Sequence, residues 1–153
     1  MRLTDASTGR AAAILFEGVD ALGPPARGGV ETRPAAPPRV AALPKWRLRR
    51  VLEHIEAHFA EAMTLADMAA AAGLSRMHFA AQFKAAMRLR PHEYLLRRRV
   101  ARARELLADD TTSVVEVALS VGFQTQSHFT SVFKRFVGQP PHAWRRAHWE
   151  GVP

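Results

Sequence analysis

An arginine and a glutamine, each of which follows a hydroxyl residue able to cap a helix, have the clearest capacity for specific chemistry. Arg76 follows Ser75, and Gln126 follows Thr125. A guanidinium can donate two hydrogen bonds to one guanine, and a carboxamide can pair with adenine in a similar way. Both side chains therefore suit recognition of a base edge.

The sequence gives little support for catalysis or for a metal site. Ser127 and His128 are neighbours on a predicted helix, so their side chains diverge, and no acid or oxyanion motif accompanies them. His54 and His58 occur as His-Ile-Glu-Ala-His, whereas zinc peptidases use His-Glu-x-x-His. We interpret these two histidines as a solvated helix flank, and we predict no catalytic residue, no metal and no cofactor.

Composition favours a basic globular domain with a polyanionic partner. The 153 residues suit one domain or two small subdomains, and the absence of cysteine excludes disulfides and fits a reducing cytoplasm. Residues 45–149 hold 17 lysines and arginines against nine acidic residues. This charge favours nucleic acid first and an acidic membrane surface second. No apolar run approaches the roughly 20 residues of a membrane span, so no membrane insertion is expected.

The segment that carries these side chains occurs twice, at residues 64–94 and 113–144. In each copy an alanine and a turn glycine precede the pattern His-Phe-x3-Phe-Lys and a closing Pro-His-x-aromatic. The offset between the copies is 49 residues before the turn and 50 after it, so the second turn is one residue longer. This register predicts a duplicated structural unit.

Each copy has the local signals of a helix, a glycine turn and a second helix. Thr64 and Asp67 predict a capping box, and Gly73 predicts a left-handed helix end. Ser75 predicts the cap of the next helix, Arg76–Met87. A helix, a three-residue turn with glycine and another helix have the spacing of a helix-turn-helix motif.

The second copy repeats these signals. Ser113 and Glu116 predict a second capping box, Gly122 the turn, and Thr125 the cap of Gln126–Val137. Phenylalanines recur at helical spacing in both copies, and we predict that they form the cores rather than platforms for bases. They are Phe79, Phe83, Phe129, Phe133 and Phe136.

Three more helices complete a predicted all-α fold of about seven helices, in which a long linker helix joins two helix-turn-helix, homeodomain-like subdomains. Apolar spacing predicts the first helix at 46–59, Pro91 opens the linker helix at 91–108, and Pro141 opens a short last helix. The linker helix is rich in arginine, which predicts a solvated or phosphate-facing surface. Its arginines include Arg97, Arg98, Arg99, Arg102 and Arg104.

The domain boundaries follow from composition. Residues 1–44 are rich in proline, glycine and alanine, so we predict a disordered arm or linker there. The folded domain is predicted at 45–149, with a first unit at 45–90, the linker helix at 91–108 and a second unit at 109–149. The apolar stretch at 11–16 is too short for a secretory signal core.

From the first helix to Arg146, these motifs resemble the DNA-binding domain of the AraC/XylS family of transcription regulators. The matching motifs include Thr64-Leu-Ala-Asp-Met-Ala69, Gly73-Leu-Ser75, Val121-Gly-Phe123, Ser127-His-Phe129 and Pro141-x-x-Trp144-Arg145. The resemblance implies a single polypeptide that binds two successive major-groove segments of double-stranded DNA. It also implies a regulator, most often an activator that contacts RNA polymerase. No effector ligand is expected within this chain.

The resemblance also implies which residues contact DNA. Base contacts fall on exposed positions near the start of each recognition helix: Arg76, Met77, Ala80, Ala81, Gln126, Ser127, His128, Thr130 and Ser131. Phosphate contacts are expected from Ser75, Lys84, Arg88, Thr125, Lys134 and Arg135. Alanines replace longer polar side chains in the first unit, so we expect that unit to specify loosely. The alternative is a protein-interaction helix-turn-helix module without specific DNA binding. A DNA-repair methyltransferase that carries this type of domain is excluded, because this chain has no cysteine to accept the methyl group.

Overall fold

The computed structural model describes residues 38–150, and this part of the chain contains seven α-helices and no β-strand. The helices are α1 (Lys45–His58), α2 (Leu65–Ala72), α3 (Arg76–Met87), α4 (Pro91–Leu107), α5 (Val114–Ser120), α6 (Gln126–Val137) and α7 (Pro141–Glu150). The predicted all-α fold, with two helix-turn-helix units joined by a long helix, is confirmed. Most of the predicted arm, at 1–37, lies outside the described residues.

Both predicted capping boxes form, and they explain where α2 and α5 begin. The Thr64 hydroxyl accepts from the Asp67 backbone N–H at 3.2 Å, and the Asp67 carboxylate accepts from the Thr64 N–H at 2.7 Å. Ser113 and Glu116 make the same pair of hydrogen bonds at 3.2 and 2.9 Å. Each box satisfies two backbone N–H groups of a helix start.

The two turns close in the same way despite their different lengths. Leu74 N–H donates to Ala69 O at 3.0 Å, and Phe123 N–H donates to Ala118 O at 3.0 Å. Gly73 has φ of 67° and Gly122 has φ of 91°, a backbone conformation that glycine adopts at little cost. The predicted left-handed end of the first turn is therefore confirmed.

The recognition helices α3 and α6 begin alike and end differently. Ser75 and Thr125 accept from backbone N–H groups at 3.4 and 3.2 Å, so both predicted caps form. Helix α6 ends at Gly138 with φ of 91°, whereas α3 ends at Arg88 with φ of 59°. Arg88 is the one non-glycine residue with positive φ within residues 38–150. The first unit therefore ends its recognition helix in a conformation that costs an L-residue about 1 kcal/mol.

Each unit has its own hydrophobic core, and α4 contributes to both. Tyr94 and Leu95 belong to the first core, whereas Leu96 and Val100 belong to the second. The predicted core phenylalanines are fully buried at Phe79, Phe83, Phe129 and Phe133, and Phe136 is half-buried. Because one continuous helix lies in both cores, the two units are joined by packed structure.

An aromatic residue covers each core where the repeat predicts it. The Tyr94 ring meets Phe83 edge-on with a centroid distance of 5.9 Å, and the Trp144 ring meets Phe133 at 6.2 Å. Arg145 fixes the last helix beside Trp144, because its guanidinium donates to Thr112 O at 2.6 Å. Helix α7 is thereby attached to the loop that follows α4.

The folded unit includes one residue of the segment assigned to the arm. Leu43 is 4% exposed and packs in the first core, and its N–H donates to Gln82 O at 3.1 Å. Folded structure therefore starts before Lys45, the first residue of α1 and the predicted start of the domain.

Candidate nucleic-acid interface

The residues assigned to base contacts lie outside both cores, on the leading turns of α3 and α6. Six of the nine are exposed: Arg76, Met77, Gln126, Ser127, His128 and Ser131. Ala80, Ala81 and Thr130 are half-buried. Met77 is 84% exposed, although burial of a methionine is favourable.

Two histidines of these helices combine exposure with an intramolecular contact. The His78 Nδ1 lies 3.0 Å from the Ser75 hydroxyl that caps α3. The His128 ring meets the Phe123 ring edge-on at 5.3 Å. Each histidine therefore combines an exposed position with a contact that belongs to the fold.

The residues assigned to phosphate contacts are all exposed. Ser75 and Thr125 stand at helix N-termini, where backbone N–H groups and the helix dipole favour an anion. The basic members of the set make no ion pair with a described carboxylate. They are Lys84, Arg88, Lys134 and Arg135. Their charges are therefore available to an external anion.

The arginines of α4 do not form the continuous basic surface that the sequence predicts. Arg98 and Arg99 are each 8% exposed, so the prediction is wrong for these two residues. Arg98 Nε donates to Glu56 Oε2 at 2.7 Å, and Arg99 donates to the backbone carbonyls of Phe59 and Glu61. Both arginines face the end of α1 because α4 packs between the two units.

The outer arginines of α4 are also engaged. Arg97 Nη2 donates to Glu93 at 3.0 Å, and Arg102 Nη1 donates to Glu105 at 2.6 Å. The Arg104 guanidinium lies 5.5 Å from the centroid of the Trp144 ring. These contacts neutralise part of the charge that the arginine-rich sequence suggested.

Sequence reasoning missed His92, which opens the exposed end of α4. Burial, together with the positive charges of Arg99, His128 and Arg135, holds the pKa of His92 below its ordinary value of 6.5. The Arg97 guanidinium of α4 lies 5.3 Å from the centroid of the Phe136 ring, so the first half of α4 lies beside the second recognition helix. The repeated Pro-His-x-aromatic pattern marked this histidine, but the pattern alone does not reveal its neighbours.

The histidine pair of α1 lies away from the recognition helices. The His54 and His58 rings are 4.7 Å apart, and His58 Nδ1 lies 3.2 Å from Glu61 Oε1. A hollow of about 440 Å³ opens beside them. Within residues 38–150, no group of three or more histidine, aspartate or glutamate side chains is placed to hold a metal ion.

None of the helices in the described part of the chain is both long enough and apolar enough to cross a membrane.

Two helix-turn-helix units that share one linker helix define the class of tandem helix-turn-helix DNA-binding domains. The family described as a helix-turn-helix domain matches residues 68–147, more than half of the chain. The chain belongs to the AraC/XylS family of transcription regulators, and it contains the DNA-binding domain of that family.

Curated relatives match this chain over about 100 residues. The probable transcriptional regulator LumQ of Photobacterium leiognathi is 36% identical over 97 residues, which cover 62% of this chain and 39% of LumQ. The transcriptional activator RhaS of Escherichia fergusonii is 36% identical over 100 residues, which cover 65% of this chain and 36% of RhaS. The chain therefore matches about two fifths of each of these proteins.

Solved DNA-binding domains match the structure over nearly their whole length. A regulator from Chromobacterium violaceum with an AraC-type DNA-binding domain superimposes with a TM-score of 0.64 and 28% identity, covering 71% of this chain and 96% of that one. The DNA-binding domain of AdpA, solved in complex with a target DNA, superimposes with a TM-score of 0.64 and 31% identity. That match covers 67% of this chain and 92% of the AdpA domain.

Proposed function

We propose that this chain is a sequence-specific transcription regulator that places α3 and α6 in successive major grooves of one promoter site. One observation carries the proposal. Most side chains on the leading turns of both helices are exposed, while two phenylalanines of each helix, Phe79 and Phe83 in α3 and Phe129 and Phe133 in α6, are completely buried. Each helix is therefore held by its inner face and presents its first two turns outward, as a recognition helix requires.

The two helices differ in what they can recognise. In α3, Arg76 can donate two hydrogen bonds to guanine, whereas Ala80 and Ala81 offer only methyl contacts, for example to thymine. In α6, Gln126 can pair with adenine, and hydroxyl or imidazole groups follow it at Ser127, His128, Thr130 and Ser131. We therefore propose that the second unit shares or dominates discrimination between sequences.

The expected binding site is asymmetric. The units are in tandem and carry different leading residues, so their half-sites differ. Two recognition helices on one face of the duplex lie about 34 Å apart, which corresponds to a site on the order of 20 base pairs. Bending of the DNA brings both grooves to the protein.

Regulation by this chain is proposed to be activation through contact with RNA polymerase in the cytoplasm. The similar protein RhaS is described as an activator, which supports this direction. The interaction module without DNA binding is the weaker alternative, because exposed Arg76, Lys84, Lys134 and Arg135 remain on the two recognition helices.

Selection of bound duplexes from a random pool tests the proposal. We expect an asymmetric motif with two parts about one helical turn apart. Failure to enrich any motif, together with binding that does not respond to salt, would favour the interaction module instead.

Substitution of the two base readers tests their assignment. Arg76→Ala and Gln126→Ala should each cost about 1–3 kcal/mol against the preferred base and relax specificity at one position. Affinities are measured against every single-base variant of the selected site. The control is Arg49→Ala, which removes an exposed arginine from α1. Equal losses on all variants would reassign the residue to a phosphate contact.

A further inference from the structure

The two units meet at a junction around a buried arginine of the linker helix. Arg99 Nε donates to Phe59 O at 2.7 Å, and its Nη2 donates to Glu61 O at 2.8 Å. Its guanidinium lies 5.8 Å from the centroid of the Phe123 ring. One side chain thus contacts the end of α1 in the first unit and the turn of the second unit.

The turn of the second unit closely approaches the same stretch of backbone, and it shares the Phe59 carbonyl with Arg99. A Cβ atom at Gly122 would lie 2.9 Å from both Phe59 O and Ala60 O, which is closer than real Cβ atoms approach an oxygen. Nothing lies within 4 Å of a Cβ built at Gly73, the equivalent glycine of the first unit. The close approach is therefore specific to the junction and is not a general requirement of the turn.

A second arginine supports this arrangement from the preceding position of α4. Arg98 binds both oxygens of Glu56, in the last turn of α1, with Nε donating to Oε2 at 2.7 Å. A guanidinium that donates two hydrogen bonds to one carboxylate fixes the relative orientation of the two side chains as well as their distance. Arg98 therefore holds α1 against α4 through the Glu56 side chain, and Arg99 holds it through the backbone carbonyls of Phe59 and Glu61, just after α1.

We propose that Arg99 is a positioning residue for DNA recognition, which sets the orientation of the second recognition helix relative to the first and so the spacing of half-sites that the protein accepts. This inference rests on the proposed function. If α4 were the only connection, the units could rotate relative to each other about its axis. The hydrogen bonds of Arg99 and the close approach of Gly122 to the backbone after α1 add contacts off that axis. These added contacts resist rotation of one unit about the helix axis.

Spacing is the property that such a junction controls. One base pair inserted between half-sites rotates the second groove by about a tenth of a turn relative to the first, given 10–10.5 base pairs per turn. A rigid protein loses contacts on the altered site, whereas a protein with a loosened junction can follow the groove. Arg99 touches no base in this proposal, so its loss should change spacing preference more than base preference.

The test compares Arg99→Met with Arg102→Met. Arg102 lies on the exposed side of the same helix, and within residues 38–150 its ion pair is with Glu105 of α4. Affinities are measured on the selected site and on sites with one base pair added or removed between the halves. We expect the wild-type protein and Arg102→Met to prefer the selected spacing about tenfold, and Arg99→Met to reduce that preference to about twofold.

Glycine substitutions give a second, independent perturbation of the junction. Gly122→Ala inserts a methyl group against the carbonyls of Phe59 and Ala60, just after α1, whereas Gly138→Ala imposes the same backbone strain at φ of 91° with nothing within 4 Å. Both variants should lose stability, but only Gly122→Ala should shift the preferred spacing. Arg99→Lys keeps the positive charge but cannot donate in the planar, two-pronged geometry of a guanidinium, so its preference for the selected spacing should lie between those of the wild-type protein and Arg99→Met.

A measurement without DNA separates this inference from the proposed function. Because the chain contains no cysteine, spin labels can be attached at Ala66→Cys and Val115→Cys, two exposed and equivalent positions of α2 and α5. Double electron–electron resonance should give one narrow distribution of the distance between the two labels in the otherwise wild-type protein. With Arg99→Met this distribution should broaden. An unchanged distribution and unchanged spacing preference in a folded Arg99→Met variant would overturn the inference. A wild-type protein that selects no motif would overturn the proposed function instead.

Discussion

At the scale of single residues, Leu43 shows how the chain is anchored before its first helix. The Leu43 side chain packs in the first core, and its N–H donates to the α3 carbonyl of Gln82. Pro44 follows as the N-cap of α1, where no side-chain cap hydrogen bond forms. The start of α1 is therefore anchored by the buried Leu43 side chain and by the Gln82 hydrogen bond rather than by a side-chain cap.

We predict that Leu43→Ala lowers the free energy of unfolding by about 2–3 kcal/mol, because it removes buried methyl groups and leaves a cavity. Urea denaturation followed by circular dichroism measures the change. Val40→Ala is the control, since Val40 is 55% exposed and its loss should change stability by less than about 0.5 kcal/mol. Equal effects of the two substitutions would contradict the assigned burial.

At the scale of elements, the two shortest helices depend on their capping boxes. Helices α2 and α5 have eight and seven residues, lengths at which an isolated helix does not form in water. The hydrogen bonds from the Thr64 side chain and backbone lower the pKa of Asp67 below 3.8. Hydrogen bonds from the Ser113 side chain and backbone lower the pKa of Glu116 below 4.5.

These shifts predict loss of stability in acid. A carboxyl group whose pKa is lower in the folded protein stabilises the fold above its ordinary pKa, and the contribution disappears as pH falls through the folded value. The contribution of Asp67 is therefore complete above pH 3.8 and that of Glu116 above pH 4.5, and both are lost at lower pH.

Thermal melts between pH 7 and pH 2.5 measure this effect. The double variant Asp67→Asn/Glu116→Gln should have a lower melting temperature than the wild-type protein at pH 7. Its melting temperature should fall less steeply as the pH is lowered. The control is Glu53→Gln, which alters an exposed carboxylate of α1. A double variant that declines as steeply as the wild-type protein would place the acid-sensitive groups elsewhere.

At the scale of the whole molecule, charge and fold act together. The folded region is basic, yet several α4 arginines are satisfied internally by Glu56, Glu93, Glu105 and backbone carbonyls. The positive charges without such partners include Lys84 on α3 and Lys134 on α6. Electrostatic attraction to DNA is therefore expected from the recognition helices more than from the linker.

This distribution predicts the salt dependence of binding. Each phosphate contact contributes about −0.9 to the slope of log affinity against log salt concentration. Lys84→Gln and Lys134→Gln should each reduce the magnitude of the slope by about 0.9 and weaken binding on every sequence alike. Fluorescence anisotropy between 50 and 200 mM salt measures the slope, with Arg49→Gln as the control that should leave it unchanged. An unaltered slope would exclude phosphate contact by that lysine.

Local signals predicted the helices closely. Both recognition helices have the predicted bounds, and α1 and α4 differ from prediction by one residue at their ends. Ser, Thr, Asp and Gly residues at these ends act on backbone groups within four positions, so sequence spacing carries their effect directly. The base and phosphate assignments stay predictions, since exposure is compatible with them but does not test them.

The arginines of α4 mark where local signals failed. Arg98 and Arg99 lie three and four residues after Leu95, so the helical period places them on a buried face, although their charge suggested a solvated one. Their partners on α1 are about 40 residues away in the sequence. No pattern within the helix indicates such partners.

The sequence by itself determined the repeat, the caps and the apolar periods, because each of these depends on neighbours along the chain. Only the tertiary structure decided which backbone carbonyls Arg99 binds and that Gly122 must remain glycine. Gly73 and Gly122 occupy equivalent places in the repeat, and only the second faces the carbonyls of another unit. Contacts between segments that are distant in the sequence depend on how the units pack, and local sequence patterns do not predict that packing.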